Sequence, residues 1–522
     1  MSSKPHICML AAENDAIPGA KVGGIGDVIR DLPRALAGEG ATVSVIIPAY
    51  GAFHELAAAR RLVEFPLHFR GHNEHVELYE LNDSETDVPG VRTLVLHHAS
   101  FAVCGKGHVY CDDTDGQPFA TDASKFAMFS QASLCAIADG HIGDIDVLHL
   151  HDWHTGCAAI LRAFDPAFKA LQAIPCVFSI HNLALQGIRP LTDEASSLQA
   201  WFPDLDYDPA DVSDPRWPHC VNPMVAGIRL ADRVHTVSPA YALEIVQAND
   251  PERGFHGGEG LQADIERVAN SGKLLGIING IDYDKEPSPR LVWSDFMHEI
   301  SQQILATMLA AKSIRSVDYV AHQRALEWQT SVRPKHILTS VGRLTSQKMS
   351  LLLGPMEDGK TALESILDSI ADRGLFLMLG SGDLLLEQQC LALAQRYPNF
   401  LFINCYSQTL SELLFENGDL FIMPSSFEPC GISQMLAMRC GQPCLVHAVG
   451  GLVDTVQDNI DGFQFSGNTT ADQSRDMLSR LQTVLSVREH QIDAYNTVAK
   501  AARMQRFHWS NSARRYLMEL YQ

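Results

Sequence analysis

The chain has 522 residues, 46% hydrophobic and 20% charged, enough for two or three domains with large cores and too long for one. Its formal net charge of -22 argues against binding to a nucleic-acid backbone or an anionic membrane, and favours a neutral polymer or a small molecule as partner. The opening MSSKPHICMLAAEND has one early cation and too short an apolar run for a signal peptide, and no later stretch reaches spanning length, so a cytoplasmic location is expected.

In the first half, short apolar runs alternate with helical patterns. Strands are expected at residues 6–12, 41–48, 92–97, 147–150, 177–181, 233–237 and 274–278, and helices at 26–37, 122–138, 225–231 and 241–247. Runs of this kind predict parallel strands covered on both faces, hence a Rossmann-like domain. The Pro-, Asp- and Trp-rich stretch 187–222 reads as a long surface excursion, and the polar stretch 282–290 as an interdomain hinge. The second half repeats the alternation, with strands at 336–342, 375–379, 400–404, 419–423 and 444–449. Helices are expected at 361–371, 384–396, 409–416 and 432–440, over most of 472–506, and in a final amphipathic stretch with Ser510 as its cap. The 12 cysteines include no C-x-x-C pair and read mostly as small buried hydrophobes in a reducing compartment, Cys440 and Cys444 among them.

Several turns carry chemistry. In AKVGGIGDVIRDLP, Lys21 precedes Gly23, Gly24 and Gly26 where a helix opens, an arrangement suited to a phosphate. In DVLHLHDWHTG, His149, His151 and His154 surround Asp152, which leaves a zinc site and ordinary core and surface histidines both open. Arg343 and Lys348 lie just beyond a strand, two cations placed for a diphosphate leaving group. In FEPCGISQ, Glu428 sits in a strand-to-helix turn that another such turn, GGLVDTV, soon follows. Two helix N-termini would favour an anion while Glu428 accepts from sugar hydroxyls, and the pair suggests a nucleotide sugar. The D-x-D strings at Asp144, Asp204 and Asp282 read as chance, and neither metal nor cofactor is expected.

These strings, with IHNLALQG, SVGRLTSQK, NGID, LGSGD and the F-x-W-x-x-S-A near the C-terminus, resemble the bacterial glycogen synthases and plant starch synthases. The resemblance implies an α/β protein of the GT-B kind, two Rossmann-like domains facing each other across a cleft, with a C-terminal helix returning to the first. Domains are expected at 1–280, 281–503 and 504–522. It further implies a retaining transfer of glucose from ADP-glucose to an α-1,4-glucan such as glycogen, by front-side attack. Catalytic roles fall on Asp152, His181, Arg343, Lys348 and Glu428, and substrate-binding roles on Lys21, Gly23, Gly24, Asp27, Asn182, Tyr406, Cys430, Gly431 and Thr455. The chain departs from the family at Ser426, usually Arg, at Val449, usually Thr, and after NGID, where the usual strings are missing. A nucleotide-sugar epimerase of similar architecture and a weakly catalytic glucan-binding descendant are the alternative readings.

Overall fold

The computed structural model describes residues 4–82, 88–114, 116–311 and 313–522. The chain forms two compact units. The first comprises Met1–Asn249, Gly257–Asp282 and His508–Gln522, and the second Asp250–His256 and Tyr283–Phe507.

The first unit is built on a nine-stranded sheet. Its strands are β1 (His6–Leu10), β2 (Thr42–Pro48), β3 (Ala59–Phe69), β4 (His72–Leu81), β5 (Val91–His97), β6 (Val147–His151) and β7 (Cys176–Ile180), with β10 (Arg233–Thr236) and β11 (Leu274–Gly276). A separate two-stranded ladder pairs β8 (Arg189–Pro190) with β9 (Cys220–Val221). The order in the large sheet is β11-β10-β7-β6-β1-β2-β5-β4-β3. β1 pairs in parallel with β2 through Ile7 and Val43, and with β6 through Ile7 and Val147. Helices on both faces bury the central strands, and β6 and β7 are buried throughout.

The sheet is not wholly parallel, in contrast to the expectation from sequence. β3 and β4 form an antiparallel hairpin at its edge, and β4 runs antiparallel to β5. The stretch 187–222 is also more than a surface excursion. Leu198, Trp201, Val212 and Val221 are completely buried, and Trp201 Nε1–H donates to Ser124 Oγ at 3.0 Å. Asp214 gathers the Arg216 guanidinium and the Asn222 amide, which fixes the loop from within. Not all the cysteines are free thiols, in contrast to the expectation from sequence: Cys104 and Cys111 form a disulfide. Cys440 is only half-buried, at the end of its helix, whereas Cys444 is core.

The last segment belongs to this unit. Its helix Trp509–Arg515 packs near the helix Gly24–Gly38, where Arg514 pairs with Glu39 at 2.9 Å, and Ser512 Oγ donates to Ile278 O at 2.6 Å. It opens at Trp509, so Ser510 lies inside the first turn and His508, not Ser510, holds the cap position. A π-turn over Tyr516–Leu520 follows and carries Tyr516 into the core.

The second unit holds a six-stranded parallel sheet of β12 (His336–Val341), β13 (Gly374–Leu379), β14 (Phe400–Ile403), β15 (Leu420–Met423), β16 (Cys444–His447) and β17 (Phe463–Phe465), in the order β14-β13-β12-β15-β16-β17. The polar stretch after Asp282 is fastened to this unit: the Ser288 N–H donates to Glu416 and the Leu291 N–H to Asn417. Helices Trp293–Ala310 and Ser316–Gln329 occupy the segment where the family strings are missing, and Phe296, Met297, Ile300 and Ile304 bury one of them against β12 and β13. Beneath the sheet, buried Asp419 is held by Arg290, Arg333 and Arg488. Among the described residues no helix is long and apolar enough to cross a membrane.

Candidate active site

In an open parallel sheet, ligands bind beyond the carboxyl ends of the strands where the winding direction reverses. In the first unit the chain steps outward from β1 to β2 and β5, then returns to place β6 on the other side of β1. The Gly-rich turn follows β1 and Asp152 follows β6, so both lie at that reversal. In the second unit the reversal falls between β12 and β15. Arg343 and Lys348 follow β12, and Glu428 follows β15. Each set therefore stands where its own sheet places a ligand.

The Gly-rich turn is tightly bonded. Lys21 Nζ pairs with Asp27 Oδ1 at 2.6 Å and Asp15 Oδ2 at 3.3 Å, and Arg30 closes on the same Asp15. Burial raises the Asp27 carboxyl above the usual range, against the pull of Lys21. A Cβ on Gly26 would meet the Lys21 stem at 3.1 Å, so this glycine gives the lysine its path across the helix start. Gly24 is the first residue of the helix, and the Val22 and Gly23 N–H groups both donate to Glu13 Oε2.

Asp152 has φ 54°, an uncommon conformation for a non-glycine residue, and its Oδ1 accepts the His181 N–H at 2.7 Å. Burial pushes its carboxyl up to about 8, although backbone N–H groups of His181 and Asn182 favour the ionised form. Asp152 thus fixes the turn that carries His181 and Asn182. His151 Nδ1 and His181 Nε2 share a hydrogen bond of 2.9 Å. Behind them His149 bonds Ser179 Oγ at 2.7 Å and the Tyr521 hydroxyl at 2.8 Å, and His235 bonds Ser179 and Tyr516. Burial holds His149 and His151 well below the ordinary histidine range, and brings His181 to about 4 and His154 and His235 to about 3. These are neutral buried histidines; hydroxyls of Ser179, Tyr516 and Tyr521 join His149 and His235, while His151 and His181 bond each other directly. Among the described residues no group of three or more His, Cys, Asp or Glu could hold a metal ion.

In the second unit Lys348 lies in the first turn of the helix Ser346–Leu353 and forms an ion pair with Glu428, their side chains 19% and 8% exposed. Ser425 Oγ donates to the same Glu428 oxygen at 3.0 Å. Ser426 N–H donates to Gln347 O at 2.8 Å and Gln347 Nε2–H to Phe427 O at 3.0 Å, which ties the lysine's helix to the glutamate's turn. Gln434 then bonds Cys430 O, Gly431 O and Thr455 Oγ1, each at 3.1 Å, and Gly431 takes φ +75°. A Cβ on Gly451 would overlap the Cys430 backbone, so the second helix start can press against the first turn only as glycine. Arg343 is exposed, and Tyr406, 74% exposed, lies just after the edge strand β14.

The structure therefore joins Lys21 with Asp27, Asp152 with His181 and Asn182, Lys348 with Glu428, and Cys430, Gly431 and Thr455 through Gln434. No sequence motif assigns a role to Glu13, Tyr110, Ser179, His235, Gln434, Tyr516 or Tyr521. Glu13 lies at the end of an apolar strand run, and the others become polar partners only once distant segments meet.

Two doubly wound sheets, each with polar and charged turns at its reversal, are the build of the GT-B glycosyltransferases. Residues 6–267 match the model described as starch synthase catalytic domain, and residues 327–494 that described as glycosyl transferases group 1. Glycogen synthases of Streptococcus sanguinis and Streptococcus gordonii are 32% and 33% identical to the chain, over 98% and 99% of it and 99% of each relative. The catalytic domain of starch synthase IV from Arabidopsis thaliana, bound to ADP and acarbose, superposes with a TM-score of 0.75 at 25% identity, covering 99% of both chains. The chain belongs to the glycogen/starch synthase family.

Proposed function

We propose that the protein transfers glucose from ADP-glucose to the 4-hydroxyl of an α-1,4-glucan end, with retention of configuration. The observation that carries this reading is the Lys348–Glu428 pair at the reversal of the second sheet. A nucleoside diphosphate sugar places hydroxyl donors next to a diphosphate, and a cation beside a carboxylate complements that sequence of groups. In this reading Lys348 and exposed Arg343 turn to the diphosphate, whose charge grows as the glycosidic bond breaks. Glu428, held by Ser425, accepts from the sugar hydroxyls. Tyr406 offers its ring to the base, while Cys430, Gly431 and Thr455 shape the turn beneath the donor. In the first unit Lys21, Gly23, Gly24 and Asp27 bind substrate, and His181 and Asn182, oriented by Asp152, face the sugar. The departing phosphate helps to take the acceptor proton.

The test is incubation with labelled ADP-glucose and glycogen. Label in the polymer is expected, with a clear preference over UDP-glucose. Interconversion of the sugar nucleotide would instead make the protein an epimerase, and binding without turnover a glucan-binding descendant.

A further inference from the structure

The segment 103–111 closes on itself through the Cys104–Cys111 disulfide. Both cysteines are half-buried, and Val103, Gly105, Lys106 and His108 beside them are exposed, so a small thiol reaches the bond from solvent. From the same loop the Tyr110 hydroxyl donates to Glu13 Oε1 at 2.7 Å. Glu13 is 2% exposed, and its other oxygen accepts the Val22 and Gly23 N–H groups at 2.7 and 2.5 Å. One buried carboxylate thus joins the disulfide loop to the Gly-rich turn.

We propose that Cys104–Cys111 is a thiol–disulfide exchange site that sets the order of the Gly-rich turn through Tyr110 and Glu13. The inference rests on the reading of that turn as a substrate-binding element. A dithiol reductant supplies the electrons. Its thiolate attacks Cys104 Sγ, the bond to Cys111 breaks, and Cys111 departs as a thiolate that takes up a proton. The reductant's second thiolate then attacks the mixed disulfide, which releases Cys104 to be protonated and leaves the reductant as its disulfide. Cys111 Sγ leaves toward Lys125 Nζ, 4.0 Å away, an ammonium that it shares with Asp122 at 2.6 Å. Opening the bond returns conformational freedom to a loop whose ends had been fixed, so the Tyr110–Glu13 contact forms less often. Lys125 still holds Val109 O at 2.5 Å and Asp122 still accepts the Cys111 N–H at 3.2 Å, so the turn loosens without unfolding.

The full-length protein is compared oxidised and after treatment with dithiothreitol, the state being read by alkylation in denaturant, which should rise from ten thiols to twelve. Reduction is expected to raise KM for ADP-glucose at least about fivefold with kcat little changed, and to speed amide exchange at Val22 and Gly23. Cys104→Ser with Cys111→Ser should give the reduced values in either buffer. Tyr110→Phe keeps the disulfide and loses the bond to Glu13, and should give them even when oxidised. Equal KM and equal exchange in the two states, with alkylation showing that the bond had opened, would overturn the proposal, as would a bond that never forms in air. If neither state transfers glucose, the functional reading fails and amide exchange alone decides whether the loop controls the turn.

Discussion

Lys348 and Glu428 neutralise one another, so each single variant strands the charge of the other. If Lys348 faces the leaving diphosphate as proposed, Lys348→Ala is expected to lower kcat roughly a hundredfold or more with a smaller rise in KM. Glu428→Gln should lower kcat by an amount that depends on the hexose offered. The double variant should lose less than the product of the two single losses, because neither charge is then left alone. Steady-state kinetics on the four proteins checks this, and fully multiplicative losses would mean the pair is not formed in solution. Gly187 makes a second test at this scale. It has φ +66°, and a Cβ there would overlap the Trp153 ring, so Gly187→Ala should cost roughly 2–4 kcal/mol in urea unfolding. The motif residues were legible because their types suit an anion or a sugar wherever they are placed. Glu13 and Gln434 were not, since a buried carboxylate or amide declares its role only through its partners.

At the scale of elements, Asp419 shows how the second sheet is pinned at the end opposite its proposed site. Three guanidinium groups and the Ile337 N–H converge on one buried carboxylate, whose backbone carbonyl also accepts the Tyr495 hydroxyl. Asp419→Ala should therefore destabilise this unit by about 3–5 kcal/mol, because it leaves charges without their partner. An unchanged unfolding midpoint would sink this account. The parallel strands themselves were readable from sequence, as apolar runs buried on both faces. The β3–β4 hairpin was not, because its two strands are half-exposed and carry Arg60, Arg61, Glu64, Glu74 and Glu77, and the edge strand β3 holds Pro66. Likewise the stretch 187–222 has irregular backbone, and its anchors, Trp201 and Asp214, act through packing and side-chain bonds that leave no periodic trace.

For the whole molecule, the buried histidines and Asp152 set the dependence of stability on pH. The histidines are held below their unfolded value of 6.5, so their contribution is complete above that pH and is lost as pH falls through about 4 and 3. Asp152 acts in the opposite sense. Its folded value of about 8 exceeds the unfolded 3.8, so its contribution is complete below 3.8 and is lost as pH rises through about 8. Burial also raises the carboxyls of Asp27, Asp122 and Asp461, which act in the sense of Asp152, and the five histidines acting together give the steeper, acid side of the profile. The thermal midpoint should thus be highest near pH 6.5, fall steeply on acidification and drift down gently toward pH 8. A calorimetric series that stays flat from pH 6.5 to 4.5 would mean that these rings are protonated in the folded protein.

The returning C-terminal segment adds a constraint in time. Ser512 bonds Ile278 across 234 positions of sequence, and Tyr516 and Tyr521 supply the hydroxyls that His235 and His149 need. A ribosome delivers roughly 5–20 residues each second, so on a nascent chain the first sheet stands complete but for these partners for on the order of 10–50 s. Throughout that interval two imidazoles lack their phenols and the seat of Trp509 lies open. The first unit begins its synthesis before the second and is finished after it.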